Sequence, residues 1–310
     1  MDANSIQEIA VLGLGTMGHG IAQTFALAGC RVRGYDASVS ARETLHDRIR
    51  DNLRSASHAG LVDESQIADA LPRIEACDTE AGALEGAQFV VEAVAEDLAV
   101  KQDRFERIEA MVDDETILAS NSSSHPISSS GSRLKLPQRA VVTHWFNPPH
   151  IIPTVEVVGG PETSEDTIVT AVDLHRRIGK LAVRVNKELP GFLVNRVQIA
   201  MIREVWDLLE QGVARQRIST PLFAAALGFV WRPLGLWRSA TLPGSISGTE
   251  YSAISSRRSD RTNRSPRPST GWFPKVTSAP RQVWDSTTTK AIHSTRNETL
   301  AMRHCWDSPD

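Results

Sequence analysis

The sequence predicts an α/β fold built on a parallel, doubly wound sheet, and three observations carry that expectation. Short β-rich apolar runs alternate with helix-compatible stretches. The runs are apolar on successive residues, as strands covered on both faces are. The first of them ends in a glycine-spaced turn that opens a helix.

The runs are IAVLGLG (9–15), RVRGYD (31–36), QFVVEAV (88–94), TILASN (116–121), AVVTHWF (140–146), TVEVVGG (154–160) and LAVRVN (181–186). Between the first two, MGHGIAQTFALAG is helix-compatible and ends at Gly29. A longer amphipathic helix follows Pro190–Gly191, and its Met201 and Trp206 lie at helical spacing, which predicts core positions.

The first turn, Gly13-Leu14-Gly15-Thr16-Met17-Gly18, has the G-x-G-x-x-G spacing directly between a strand and a helix. Gly13 permits a tight turn, Gly15 lets backbone approach a pyrophosphate, and Gly18 lets helix and strand pack closely. The helix start then offers free N–H groups to phosphate oxygens. Asp36 closes the second strand, where a carboxylate accepts from ribose hydroxyls and repels a 2′-phosphate. NAD rather than NADP is the predicted cofactor, on a Rossmann-type domain.

Composition is ordinary on average and divided in detail. The 310 residues are 41% hydrophobic and 23% charged, with a net charge of −3. Residues 1–214 hold 20 Lys and Arg against 31 Asp and Glu, whereas residues 215–310 hold 14 against 6 and five of the seven Trp. Three unspaced cysteines, Cys30, Cys77 and Cys305, predict neither a disulfide framework nor a metal site. The N-terminus has no basic segment ahead of an apolar run, and no stretch reads as a membrane span, so a cytoplasmic location is expected.

Four polar clusters sit at or beyond strand ends. VEAVAEDLAVKQ carries Glu96 and Lys101, and SNSSSHPIS carries Asn121 and Ser122–Ser124. THWFNPPHIIPTVEVV carries His144 and Glu156, and PGFLVNRV carries Asn195 and Arg196. A glutamate inside an apolar strand is costly unless paired, which points to a partner for Glu156. Ser123 also fits an ordinary turn serine, and Asn195 a helix cap.

With GLGTMGHGIAQ, these motifs resemble the 3-hydroxyacyl-CoA dehydrogenase family, in family order across residues 8–214. The resemblance implies that His144 is the general acid/base and Glu156 the carboxylate that orients it. It implies that Ser123 and Asn195 bind the substrate oxygen, and that Glu96, Lys101 and Ser123 line the nicotinamide-ribose end of NAD. It further implies a small-molecule substrate, reversible oxidation of a 3-hydroxyacyl-CoA, and an all-α C-terminal domain that forms a homodimer. Two departures concern the substrate. RSASHAGLVDE (54–64) has Arg54 and no lysine where coenzyme-A users carry lysines, and Pro153 replaces a basic residue. The Asn-Pro-Pro-x-x-Ile-Pro pattern looks more like the λ-crystallin/L-gulonate dehydrogenase branch or the pyridine-carboxylate dehydrogenases.

The expected domains are 1–187, binding NAD, and 188–214, the first helix of the α-helical domain. For 215–310 the expectation is a poorly ordered tail read off frame. It has no helical period, and RSDRTNRSPRPST lacks the ordered aromatic and basic spacing of a nucleic-acid arm. Read one base out of register, its codons accommodate GPLE, AGLDIW and FGAKTGLGFYDY, elements expected of the family's C-terminal domain. A single-base slip near codon 214 is therefore expected, with turnover and the dimer surface compromised.

Overall fold

A computed structural model describes residues 2–213. The expected tail, 215–310, lies outside the described residues. Within them the chain runs β1 (Glu8–Leu12), α1 (Gly18–Leu27), β2 (Arg31–Tyr35), α2 (Val39–Glu43), α3 (Leu45–His58), α4 (Glu64–Ala70) and β3 (Ile74–Ala76). It continues α5 (Glu80–Leu84), β4 (Phe89–Glu92), α6 (Leu98–Glu109), β5 (Ile117–Ser120), α7 (Ile127–Ser130), β6 (Ala140–Trp145) and β7 (Thr154–Gly159). The last described elements are α8 (Glu165–Arg177), β8 (Leu181–Val185) and α9 (Val194–Glu210).

All eight strands form one sheet in the order β3-β2-β1-β4-β5-β6-β7-β8. The chain leaves β1 toward β2 on one side and returns to β4 on the other, so a crevice opens between β1 and β4 at their carboxyl ends. β1, β4 and β5 are buried along almost their whole length, consistent with helices on both faces. Phe25, Phe89 and Trp145 fill one side of the sheet, and Phe105, Ile108 and Leu118 the other.

Three features differ from the sequence reading, the first being β3, which none of the expected runs covers. β7 runs antiparallel to β6, because residues 146–153 are too few for a crossover and instead turn the chain back on itself. Along α9 only Gln198 is buried, and Trp206 is 46% exposed. Met201 is half-buried, so neither it nor Trp206 is a buried core position.

Candidate active site

The glycine turn joins β1 to α1, and each glycine has a separate steric reason. Gly13 sits at φ +95°, where a Cβ would lie 2.5 Å from the Ala93 carbonyl oxygen. A Cβ on Gly18 would lie 1.7 Å from the Gly13 carbonyl oxygen, so α1 closes directly onto the turn. At Gly15 nothing lies within 4 Å of the Cβ position. That open space faces an α1 N-terminus with no side-chain cap and no acidic residue in its first turn. Such a start leaves N–H groups and the positive dipole end for an anion, so the turn fits a dinucleotide pyrophosphate.

Asp36 follows β2, and its carboxylate accepts from the backbone N–H of Leu14 at 2.7 Å and of Ser38 at 2.8 Å. These bonds fix the carboxylate beside the turn, with lone pairs left for ribose hydroxyls. Arg48, which the sequence reading missed, braces the turn by donating to the Leu14 carbonyl at 2.8 Å and reaches Ala41 with its other nitrogen. Nothing in its local sequence marks it, because the contact spans 34 positions.

A second cluster forms where β4 and β5 end. Glu96 Oε1 accepts from the Ser122 hydroxyl at 2.6 Å, the Ser123 N–H at 2.9 Å, and both the N–H and the hydroxyl of Ser124. The Ser123 hydroxyl lies 3.4 Å from the same oxygen. Burial alone would push the Glu96 carboxyl up. The Lys101 ammonium and the Ser122 and Ser124 bonds override it and bring the group down to about 2. Glu96 therefore stays ionised and holds the serine turn in one conformation. Lys101 lies beneath, 1% exposed, with its ammonium 2.9 Å from Glu92 and 3.2 Å from Glu96. It acts on the crevice through Glu96. Glu92 also accepts from the Ser120 hydroxyl at 2.8 Å and is fully buried. A carboxylate in an apolar strand was its signal, the one used for Glu156.

The third cluster comes from the turn-back of β6 into β7. The antiparallel register sets His144 directly opposite Glu156. Their side chains meet at 2.8 Å, His144 Nδ1 to Glu156 Oε2, with both residues buried. The other carboxylate oxygen accepts from the N–H groups of Leu193 at 3.1 Å and Val194 at 2.9 Å. One glutamate thus orients the imidazole and caps the start of α9, the helix that carries Asn195. The Asn195 amide donates to the Ser123 carbonyl at 3.2 Å, which brings two of the expected substrate contacts together. Asn121 accepts from the Trp145 N–H at 3.0 Å and ties the serine segment to β6.

Two aromatic residues that the sequence reading did not single out flank the imidazole. Phe146 and Phe192 have ring centroids 4.5 Å and 5.4 Å from that of His144. Phe192 is 1% exposed and sits at φ +46°, a strained value for a non-glycine residue. Arg196 donates to the Pro190 carbonyl at 3.5 Å.

Comparison with known proteins shows the family. Residues 8–189 match the model for the 3-hydroxyacyl-CoA dehydrogenase NAD-binding domain, and residues 191–271 match that for the C-terminal domain. The second match runs past the break in composition at 214. The chain is 40% identical over 213 residues to a 5-formyl-3-hydroxy-2-methylpyridine 4-carboxylate 5-dehydrogenase of Mesorhizobium japonicum, covering 67% of this chain and 66% of that one. It is 37% identical to a probable 3-hydroxybutyryl-CoA dehydrogenase of Bacillus subtilis, covering 74% and 80%. It is 36% identical to the lambda-crystallin of Oryctolagus cuniculus, covering 66% and 65%. The chain thus spans just under two thirds of the length of the first and third of these relatives. Among solved structures it resembles the (S)-3-hydroxybutyryl-CoA dehydrogenase PaaH1 from Ralstonia eutropha, with a TM-score of 0.65 and 32% identity over 69% of this chain and 75% of that one.

Proposed function

Because the chain belongs to the 3-hydroxyacyl-CoA dehydrogenase family, we propose that it is an NAD-dependent L-3-hydroxyacyl-CoA dehydrogenase, oxidising a 3-hydroxyacyl-CoA reversibly to the 3-ketoacyl-CoA. The observation that carries the reading is the buried His144–Glu156 pair at 2.8 Å, on the strand ends facing the same side as the glycine turn.

In this reading NAD is held by the turn 13–18 and the Asp36 carboxylate, and when bound it supplies the hydride acceptor. The residues of the chain manage the proton and the oxygen. Glu156 accepts from His144 Nδ1–H, so the other nitrogen, Nε2, carries the lone pair that takes the hydroxyl proton. The imidazolium then forms against a carboxylate already in place. Ser123 and Asn195 serve as the donors that steady the substrate oxygen as it gains carbonyl character. Phe146 and Phe192 keep water from the imidazole face. In the reverse direction His144 Nε2 returns the proton.

A second reading has a specific observation in its favour. Arg54 is exposed and pairs with Asp51 at 3.8 Å, and residues 54–64 hold no lysine for nucleotide phosphates. The similarity to a pyridine-carboxylate dehydrogenase points the same way. In that reading the substrate is a small free hydroxy acid or alcohol, and the steps at His144 are unchanged. A third outcome, an inactive NAD-binding protein, is what the changed register expected after codon 214 would produce. The family homodimer would then be compromised, and a cytoplasmic location belongs to all three readings.

Turnover with NAD separates them. Acetoacetyl-CoA reduction with NADH, run beside a panel of free hydroxy acids, should favour the CoA substrate. Preference for the free acids supports the second reading, and NAD binding without turnover the third. Resequencing the gene around codon 214 tests the slip directly, and an in-frame tail would remove it.

A further inference from the structure

Lys180 is a buried cation that the reaction above does not use. It precedes β8, is 8% exposed, and forms no ion pair among the described residues. Its ammonium instead donates to two backbone carbonyls, Pro149 at 2.6 Å and Ile152 at 2.8 Å. It lies 5.0 Å over the Trp145 ring. The next residue, Leu181, donates its N–H to the Pro153 carbonyl at 2.8 Å. Three bonds from 180–181 therefore grip residues 149–153.

That loop is part of the connection between the two strands of the proposed acid/base pair. The whole connection, 146–153, starts two residues after His144 and ends three before Glu156, and residues 149–153 are its second part. Its outer side rests on α1: a Cβ at Gly20 would lie 2.8 Å from both Pro149 Cγ and His150 Nδ1. His19 and His150 stack loosely beside it with centroids 6.2 Å apart, and His19 Nδ1 reaches the Gly15 carbonyl at 2.7 Å. One short segment thus touches the helix that opens on the glycine turn and continues into the strand that carries Glu156, opposite His144.

We propose that Lys180 is a positioning residue, whose ammonium clamps the 149–153 loop and so sets the spacing between His144 and a nicotinamide cofactor held at the glycine turn. The proposal rests on the dehydrogenase reading for its kinetic consequence and on the geometry alone for the clamp. Both carbonyl bonds are charge-assisted while Lys180 is protonated and weaken when it is neutral, and neither carbonyl receives another donor among the described residues. The other ionisable groups facing the ammonium are His150 on the loop and His175 on α8, both depressed to about 4 by burial first and by Lys180 in part, hence neutral at pH 7. Burial lowers Lys180 itself to about 8, so the clamp loses its charge in the mildly alkaline range.

The test compares Lys180→Met, which keeps the stem and removes the charge, with Lys180→Arg, which keeps the charge. In the full chain, Lys180→Met should lower kcat about tenfold or more while substrate KM and NAD affinity stay within about threefold, since small misplacements of reacting groups act on the chemical step. Lys180→Arg should recover part of the loss. Equal kcat in wild type and Lys180→Met, or a loss carried by KM alone, overturns the assignment. A second measurement needs neither turnover nor variant. Amide hydrogen exchange of residues 150–152 in the wild type, corrected for intrinsic rates, should lose protection between pH 7 and pH 9 while α8 keeps its own. Unchanged loop protection overturns the clamp. A wild type that turns over no substrate defeats the dehydrogenase reading, and the exchange result still decides on the clamp.

Discussion

Replacing Glu156 by glutamine separates the two tasks of that side chain. Its Oε1 receives Leu193 and Val194 N–H at 3.1 and 2.9 Å, and an amide oxygen can do the same. Its Oε2, 2.8 Å from His144 Nδ1, would become an NH2 group. That donor forces His144 to accept at Nδ1, so the proton moves to Nε2, the atom needed as base. The ion pair formed during proton transfer is also lost. Two unit charges about 4 Å apart at an effective dielectric near 20 attract by about 4 kcal/mol, or roughly a thousandfold in rate. Glu156→Gln should therefore cut kcat about a thousandfold, with the melting temperature nearly unchanged because α9 keeps its cap. Initial rates at 340 nm with NAD and a 3-hydroxyacyl-CoA read the first quantity, and thermal unfolding the second. A Glu156→Gln enzyme within about tenfold of wild type would refute the assignment of Glu156 as the orienting carboxylate.

Four further outcomes follow from the same structure. Gly15→Ala places a methyl in open space, so thermal stability should hold while the NAD dissociation constant, measured by calorimetry, rises about tenfold or more. Gly18→Ala meets the Gly13 carbonyl and should lower stability itself, by about 1–3 kcal/mol in urea unfolding. Asp36→Ala should weaken NAD binding by about 10- to 100-fold and narrow the NAD-over-NADP preference; an unchanged ratio would remove Asp36 from ribose recognition. Finally, His175 is fully buried and held at about 4 against an ordinary 6.5, chiefly by burial. The unfolded chain takes up a proton below pH 6.5 that the folded chain refuses until about pH 4, so stability falls as pH drops through that window. The share from His175 is at most about 3 kcal/mol, and His175→Phe should flatten the acid limb of a stability-against-pH curve.

Seven of the eight described strands, the glycine turn and Asp36 were legible because each rests on local pattern: apolar runs, a spacing and a strand-end carboxylate; the three-residue β3 carries too short a pattern to show. The His144–Glu156 pairing was legible from motif resemblance, and the antiparallel register of β6 and β7 gives it a physical basis. What local pattern could not show was contact made across the sheet. Arg48 reaches the glycine turn from α3, Lys180 reaches a loop thirty positions earlier, and Phe192 turns to His144 through a positive φ. The resemblance implied that Lys101, with Glu96, lines the nicotinamide-ribose end of the cofactor. The enclosure of Lys101 depends on Glu92, which only the packed sheet brings beneath it. Met201 and Trp206 were expected as core from helical spacing alone, and spacing names a face without naming what lies against it.

The most direct measurement of the central claim is the tautomer of His144, read from its imidazole nitrogen shifts in ¹⁵N-histidine-labelled protein saturated with NAD at pH 7.5, and assigned with His144→Gln. The account predicts a proton on Nδ1 in a strong hydrogen bond and a bare Nε2. A proton on Nε2, or an Nδ1 signal unchanged by Glu156→Gln, would contradict it.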